Sequence, residues 1–215
     1  MRILFPLLAA ILAPVTAQAA CGPAAAPPTV AFKSSFPAQP VFYDAYSRAD
    51  LARFTTRKAT PGRVINGLTK GSYAYKVTGE ALVRPDGNGF CAYLSKVDVT
   101  LEFKDLTIFV AKENPRNGCE YKVTLTHEMQ HVQLYRQSFD KHAPLAKALA
   151  EQLARSQAPV WMTERNAASQ ATIKQLSASL AQRFKAMQED ADRSNGAIDT
   201  EQSYRYLDSL CPKKK

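Results

Sequence analysis

Apolar and polar residues alternate through the middle of the chain, and the period then lengthens. Phe90 to Phe103 alternates through Leu94, Val97, Val99, Leu101 and Phe103, the spacing of a half-buried strand. Ser72 to Arg84 alternates in part. Between them Pro85-Asp86-Gly87-Asn88-Gly89 is a turn signal, so the two segments predict an antiparallel hairpin. A Lys104-Asp105 turn leads to a further strand over Leu106 to Lys112, which Asn114-Pro115-Arg116-Asn117-Gly118 ends. Tyr73, Tyr75, Phe90 and Tyr93 read as sheet packing.

From Glu120 onward the pattern is helical. Val123, Leu125, Met129, Val132, Leu134, Tyr135 and Phe139 form the broad apolar set of a buried helix, with no Gly or Pro between Glu120 and Ala143. Ala-rich stretches over Pro144 to Ser156 and Met162 to Arg193 flank Gln157-Ala158-Pro159-Val160, the expected tip of a helical hairpin with Pro159 in the first turn of the return arm. Pro144 kinks or divides the outgoing arm, and Asn195-Gly196 ends the returning one. The predicted fold class is α+β: an N-terminal antiparallel sheet followed by one motif-bearing helix and a long C-terminal helical hairpin.

The beginning of the chain changes the setting. Arg2, the apolar run Ile3 to Val15 and Ala17-Gln18-Ala19 read as a secretory signal over residues 1–19, cleaved after Ala19. Pro6 and Pro14 interrupt that run, and no later stretch approaches the ~20 apolar residues of a spanning helix, so a periplasmic or secreted protein without a transmembrane segment is expected. The alternative is lipidation at Cys21, because Ala19-Ala20-Cys21 resembles the end of a lipobox. Residues 20–40 form a Pro- and Ala-rich leader; 41–215 form a single domain, β-rich over 41–118 and helical over 119–215. In an exported chain the four cysteines, Cys21, Cys91, Cys119 and Cys211, favour two disulfides. Of the three pairings, Cys91–Cys119 with Cys21–Cys211 is preferred, tying the sheet to the motif helix and joining the termini. No pair has the CxxC spacing of a cysteine zinc site.

With 215 residues, 46% hydrophobic and 22% charged, the chain can bury a substantial core. Its formal charge of +9 includes the tail Lys213 to Lys215, and the remaining cations are scattered. That distribution speaks against a nucleic-acid face; loose association with anionic envelope polymers fits better.

The chemistry concentrates in His127-Glu128-Met129-Gln130-His131, which holds two of the three histidines. Four residues apart on a helix means about 40° around the axis and roughly 6 Å along it, so both imidazoles leave one face. Two nitrogens can share one zinc ion, which as a catalytic centre needs a further protein ligand and an open position. Glu128 beside them fits a general base acting on zinc-activated water. His142 is excluded as third ligand, because on an unbroken helix it lies about 16 Å beyond His131. A hairpin turning near Ala158 and Pro159 pairs residues whose numbers sum to roughly 317, which brings Lys185 to Glu189 level with the motif. Glu189, Asp190 and Asp192 lie within reach, and Glu189 and Asp192 share a face. They are the candidate third ligands, one completing the metal site and the other orienting a histidine.

The HEMQH motif, the export signal before it and the Asp-bearing helix end some sixty residues later resemble bacterial secreted proteins described as predicted zinc-dependent proteases, within the wider zincin class. The resemblance spans Tyr75 to Thr200. It implies a zincin-like domain with His127 and His131 as metal ligands and Glu128 as catalytic base. Ala191-Asp192 stands where that family has a Tyr-Asp pair followed by Thr-x-His-Gly, and here Arg193-Ser194-Asn195-Gly196 follows, without the histidine. The metzincin pattern fits worse, since Leu134 and Gln137 stand where it wants Gly and His or Asp. The function implied is an exported zinc-dependent metallopeptidase acting on a protein or peptide held along a strand edge at Leu106 to Ala111. Tyr204, Arg205 and Tyr206 are chemically suited to an oxyanion donor but are not placed by the sequence. The alternative is a non-catalytic envelope module that binds a partner through the helical hairpin.

Overall fold

The computed structural model describes residues 21–55 and 64–212. The expected signal over 1–19 and the lysines of the tail lie outside the described residues. Among the described residues five strands and four helices follow one another as β1 (Thr29–Ser35), β2 (Val41–Tyr43), α1 (Arg48–Phe54), β3 (Gly67–Asp86), β4 (Gly89–Val110), α2 (Cys119–Ser156), β5 (Val160–Met162), α3 (Arg165–Ile198) and α4 (Glu201–Ser209).

Every other strand pairs with β4. β3 joins it antiparallel through a tight turn in which Gly87 has φ +56°, a conformation that glycine adopts without steric cost. β1 and β2 lie parallel to β4, opposite Lys96–Glu102 and Thr107–Phe109, and β5 pairs antiparallel with Phe90–Ala92. These parallel strands overturn the expected N-terminal antiparallel sheet. The physical reason is local. β1 lies in the Pro- and Ala-rich leader, where Val30 and Phe32 give only two inward positions, and β2 is three exposed residues, so neither carries the long alternation that marks a strand. Both are separated from β4 by enough chain to return in the same direction.

Lys104-Asp105 is not a turn. β4 runs through it, and Asp105 takes φ +56° at a bulge where the register to β3 shifts between Lys70 and Ser72. A second shift falls between Glu80 and Ala81. Each inserted residue exchanges the two faces of a strand, so the buried set passes from Leu94 to Val97, Val99, Leu101 and Phe103, and then to Leu106, Ile108 and Val110. The same side of the sheet thus stays against the helices over all 22 residues of β4.

On that side α2 and α3 form two antiparallel arms. Leu94, Val97, Val99 and Leu101 pack with Phe139, Leu176, Leu180, Phe184 and Met187, while Val132 of α2 joins Phe103, Leu106, Ile108 and Val110. α2 is one helix, neither divided nor ended at Pro144; that proline is exposed, so the Asp140 carbonyl it cannot serve lies on the solvent side. The arms pair further along α3 than a tight tip predicts. Ser138 Oγ donates to the Met187 carbonyl, and Asp190 receives Lys141 Nζ and His142 Nε2 at 2.9 and 3.0 Å. The cause is β5: Val160 to Met162 leave the hairpin to pair with β4, and α3 begins only at Arg165. α3 also continues past Asn195-Gly196 to Ile198.

The disulfides are Cys21–Cys91 and Cys119–Cys211. Cys91–Cys119 is ruled out because the two lie near opposite ends of β4, which the supposed turn at Lys104-Asp105 would have folded back. Cys21–Cys211 falls with it, and the Cys21 sulfur is engaged rather than lipidated. Closing loops with sequence separations of 70 and 92 residues stabilises the fold by about 4–5 kcal/mol each in the chain-entropy account. Among the described residues no helix is long and apolar enough to cross a membrane.

Candidate metal centre

His127, Glu128 and His131 are all buried on α2, at 3%, 4% and 7% exposure. Their ligand atoms lie within 4.8 Å of one another, a group that can hold a metal ion. The Nδ1 of His131 lies 2.8 Å from Asn195 Oδ1. Asn195 Nδ2 donates to the Ala191 carbonyl, which turns its oxygen to the ring; His131 therefore carries its proton on Nδ1 and directs Nε2 to the opposite side. The Nδ1 of His127 is buried and has no hydrogen-bond partner among the described residues.

Opposite both rings stands Asp199. Its Oδ1 lies 3.2 Å from the Nε2 of His127 and 3.2 Å from that of His131. Asp199 is the C-cap of α3, its N–H donating to the Gly196 carbonyl, and Thr200 immediately begins α4 by accepting from Ser203 N at 3.1 Å. A helix end and a helix start thus fix the carboxylate from both sides. Tyr204, one turn into α4, donates its hydroxyl to the same Oδ1 and sets its ring 5.3 Å from that of His127.

Two imidazole nitrogens and a carboxylate oxygen face one another, and this arrangement requires positive charge. Burial pushes Asp199 up, but hydrogen bonds from His127, His131 and Tyr204 override it and hold the carboxyl far below the ordinary range. Burial likewise opposes charge on His131, yet Asp199 and the Glu128 charge raise its pKa. A cation placed among the three atoms supplies the same charge without the protons.

Glu128 faces β3. Burial raises its pKa, partly offset by the histidines and by Thr69, whose hydroxyl donates to Oε2 at 2.7 Å. The approach needs Gly67: a Cβ there would lie 2.6 Å from Glu128 Oε1 and 2.5 Å from Thr124 Cγ2. Gly67→Ala is therefore expected to destabilise the protein by about 1–3 kcal/mol through overpacking. Thermal unfolding beside Gly22→Ala, where nothing lies within 4 Å, reads this out; equal melting temperatures would refute the close approach.

The three groups open into a cleft of about 820 Å³. One wall is β3 from Gly67 to Gly71, and the other comes from α2, the end of α3 and α4. Leu106 to Ala111 is not the exposed edge expected, because Thr107 to Phe109 is flanked by β2 and β3; β3, which among the described residues pairs only with β4, is the edge beside the motif helix.

Neither tentative third ligand reaches the histidines. Glu189 pairs with Lys185 on the surface, and Asp192, exposed at the cleft rim, accepts from Gln188. Asp190 serves Lys141, His142 and Arg193, and His142 stands in that cluster, away from the metal centre. Of the suggested oxyanion donors only Tyr204 reaches the site, since Arg205 pairs with Glu201 and Tyr206 is 63% exposed. Asp199 was missed. Its signal is an acidic residue directly before the Thr200 N-cap, which becomes relevant only when the hairpin is paired further along α3. No family model, curated protein or solved structure matches this chain.

Proposed function

We propose that this chain is an exported zinc-dependent peptidase, with His127, His131 and Asp199 holding the ion and Glu128 as general base. The observation carrying this reading is the position of Asp199 Oδ1, 3.2 Å from both Nε2 atoms. Bonds of 2.0–2.1 Å in a tetrahedron separate ligand atoms by about 3.3 Å, which matches the 3.2 Å from Asp199 Oδ1 to each histidine nitrogen. Two His and one carboxylate form an ordinary catalytic donor set. Zinc supplies a lowered water pKa and a polarised substrate carbonyl when bound. Glu128, held by Thr69 beside the two histidines, takes a proton and returns it to the leaving amine. Asn195 fixes one ligand ring, and Tyr204 orients the carboxylate. β3 offers unpaired backbone groups along the cleft, against which an extended peptide can lie. The resemblance to secreted HExxH proteins supports the peptide bond as the target, and the disulfides support an oxidising location such as the periplasm or exterior.

The first test is metal content. The purified protein is expected to carry about one zinc per chain, measured by elemental analysis, and His127→Ala is expected to carry none. A zinc-free wild type that regains none on dialysis against zinc would sink the reading and favour a non-catalytic module.

A further inference from the structure

The cleft is electrically divided in a way that the metal centre does not explain. The wall formed by α1 and β3 presents Arg48 and Lys70, while the wall formed by α2, α3 and α4 presents Glu120, Asp192 and Asp208. Lys70 extends its ammonium 5.6 Å from the centre of the Phe54 ring.

Arg48 is fixed rather than floating. Its Nη2 donates to Asn114 Oδ1 at 3.0 Å, and Asn114 is only 2% exposed. Its backbone N–H donates to the Glu113 carboxylate at 3.2 Å. The guanidinium itself meets no carboxylate among the described residues, and its Nε is buried without a hydrogen-bond partner there. Asn66 Oδ1 and Asn114 Nδ2 are unpartnered in the same way. These residues meet in space: Ala111 N donates to the Asn66 carbonyl, and Asn114 N donates to the Ala111 carbonyl. Asn66 also precedes Gly67, over which the Glu128 carboxylate lies. Asn114 thus holds a guanidinium at the cleft wall with no carboxylate against it among the described residues, and a charged fork so placed is suited to an anionic group that arrives in the cleft.

We infer that this end of the cleft is a carboxylate-recognition subsite in which Arg48, assisted by Lys70, selects peptides bearing an acidic side chain or a free C-terminal carboxylate near the reacting bond. A planar carboxylate matches the guanidinium fork, and hydrogen bonds between ionised partners are about twice as strong as neutral ones. The acidic opposite wall sets direction, favouring a cationic or amino group there and repelling a second carboxylate. The subsite rests on the peptidase reading for its substrate, so its test is made on binding and does not require cleavage.

The experiment measures fluorescence anisotropy of three short labelled peptides on the zinc-treated full chain carrying Glu128→Gln. One has a central Glu and an amidated C-terminus, the second Gln and an amide, the third Gln and a free carboxylate. The Glu peptide, the free-carboxylate peptide or both are expected to bind about tenfold more tightly than the neutral peptide, with the advantage shrinking as salt rises. Which one gains identifies the source of the carboxylate. Adding Arg48→Met is expected to bring the ratio near one, and Arg48→Lys to keep part of it. Lys70→Met, at an exposed position, is expected to reduce it without disturbing the Asn114 contact. Equal binding of all three peptides, no binding of any, or a preference that survives both Arg48→Met and Lys70→Met overturns the subsite. Cleavage by the parent enzyme without a preference in binding refutes the subsite and leaves the peptidase; a preference in binding without cleavage does the reverse.

Discussion

Asp199→Ala is expected to lower zinc affinity by at least about 100-fold, more than any other single carboxylate substitution in the chain. The carboxylate faces both ligand nitrogens at 3.2 Å, and its removal leaves two donors where a catalytic zinc site needs three. Competition with a chelator gives the affinity. Asn195→Ala, which frees the His131 ring, and Tyr204→Phe, which releases the carboxylate, are expected to cost about 10-fold each because they act through a ligand. Glu189→Ala and Asp192→Ala should bind zinc like the parent, since their partners are Lys185 and Gln188. Full affinity in Asp199→Ala together with loss in Asp192→Ala would return the third ligand to the return helix and refute the geometry at the α3–α4 junction.

Glu128→Gln is expected to abolish hydrolysis, by about 10³-fold or more, while zinc content stays near one per chain. The amide keeps the shape of the side chain and its contact with Thr69 but cannot take a proton. Stability should move the other way in the metal-free protein. Burial raises the Glu128 pKa, so ionising it costs folding free energy as the pH climbs through that raised value. The glutamine carries no such cost, and the metal-free variant should melt above its metal-free parent at neutral pH. Hydrolysis that survives in zinc-loaded Glu128→Gln would remove Glu128 as the base, and zinc lost with it would make Glu128 a ligand.

The contrast between Asp199 and the motif shows which information is local. HExxH sets its own geometry, because four residues on any helix place two side chains on one face. The β3–β4 hairpin was legible for the same reason: alternation and a glycine turn are short-range signals. Where Asp199 falls depends on how two long helices are offset. That offset follows from Val160 to Met162 leaving the hairpin to pair with β4, a choice made by a distant strand. The parallel strands were hidden in another way, because β1 is written in a Pro- and Ala-rich segment and β2 is exposed throughout. Lys104-Asp105 carries turn-like residues, but aspartate also tolerates the left-handed conformation of a bulge. The bulge lets β4 run on for 22 residues, which leaves Cys91 and Cys119 near its opposite ends.

Cys119 and Cys211 join the first turn of α2 to the chain just beyond α4, and everything that contacts the ion in this proposal lies between them. α4 buries none of its own residues, so the covalent bridge anchors the segment that brings Tyr204 over Asp199. A single peptide bond severed anywhere inside that ring separates neither fragment from the other. A nick between the helices therefore leaves His127, His131 and Asp199 on pieces that still travel together.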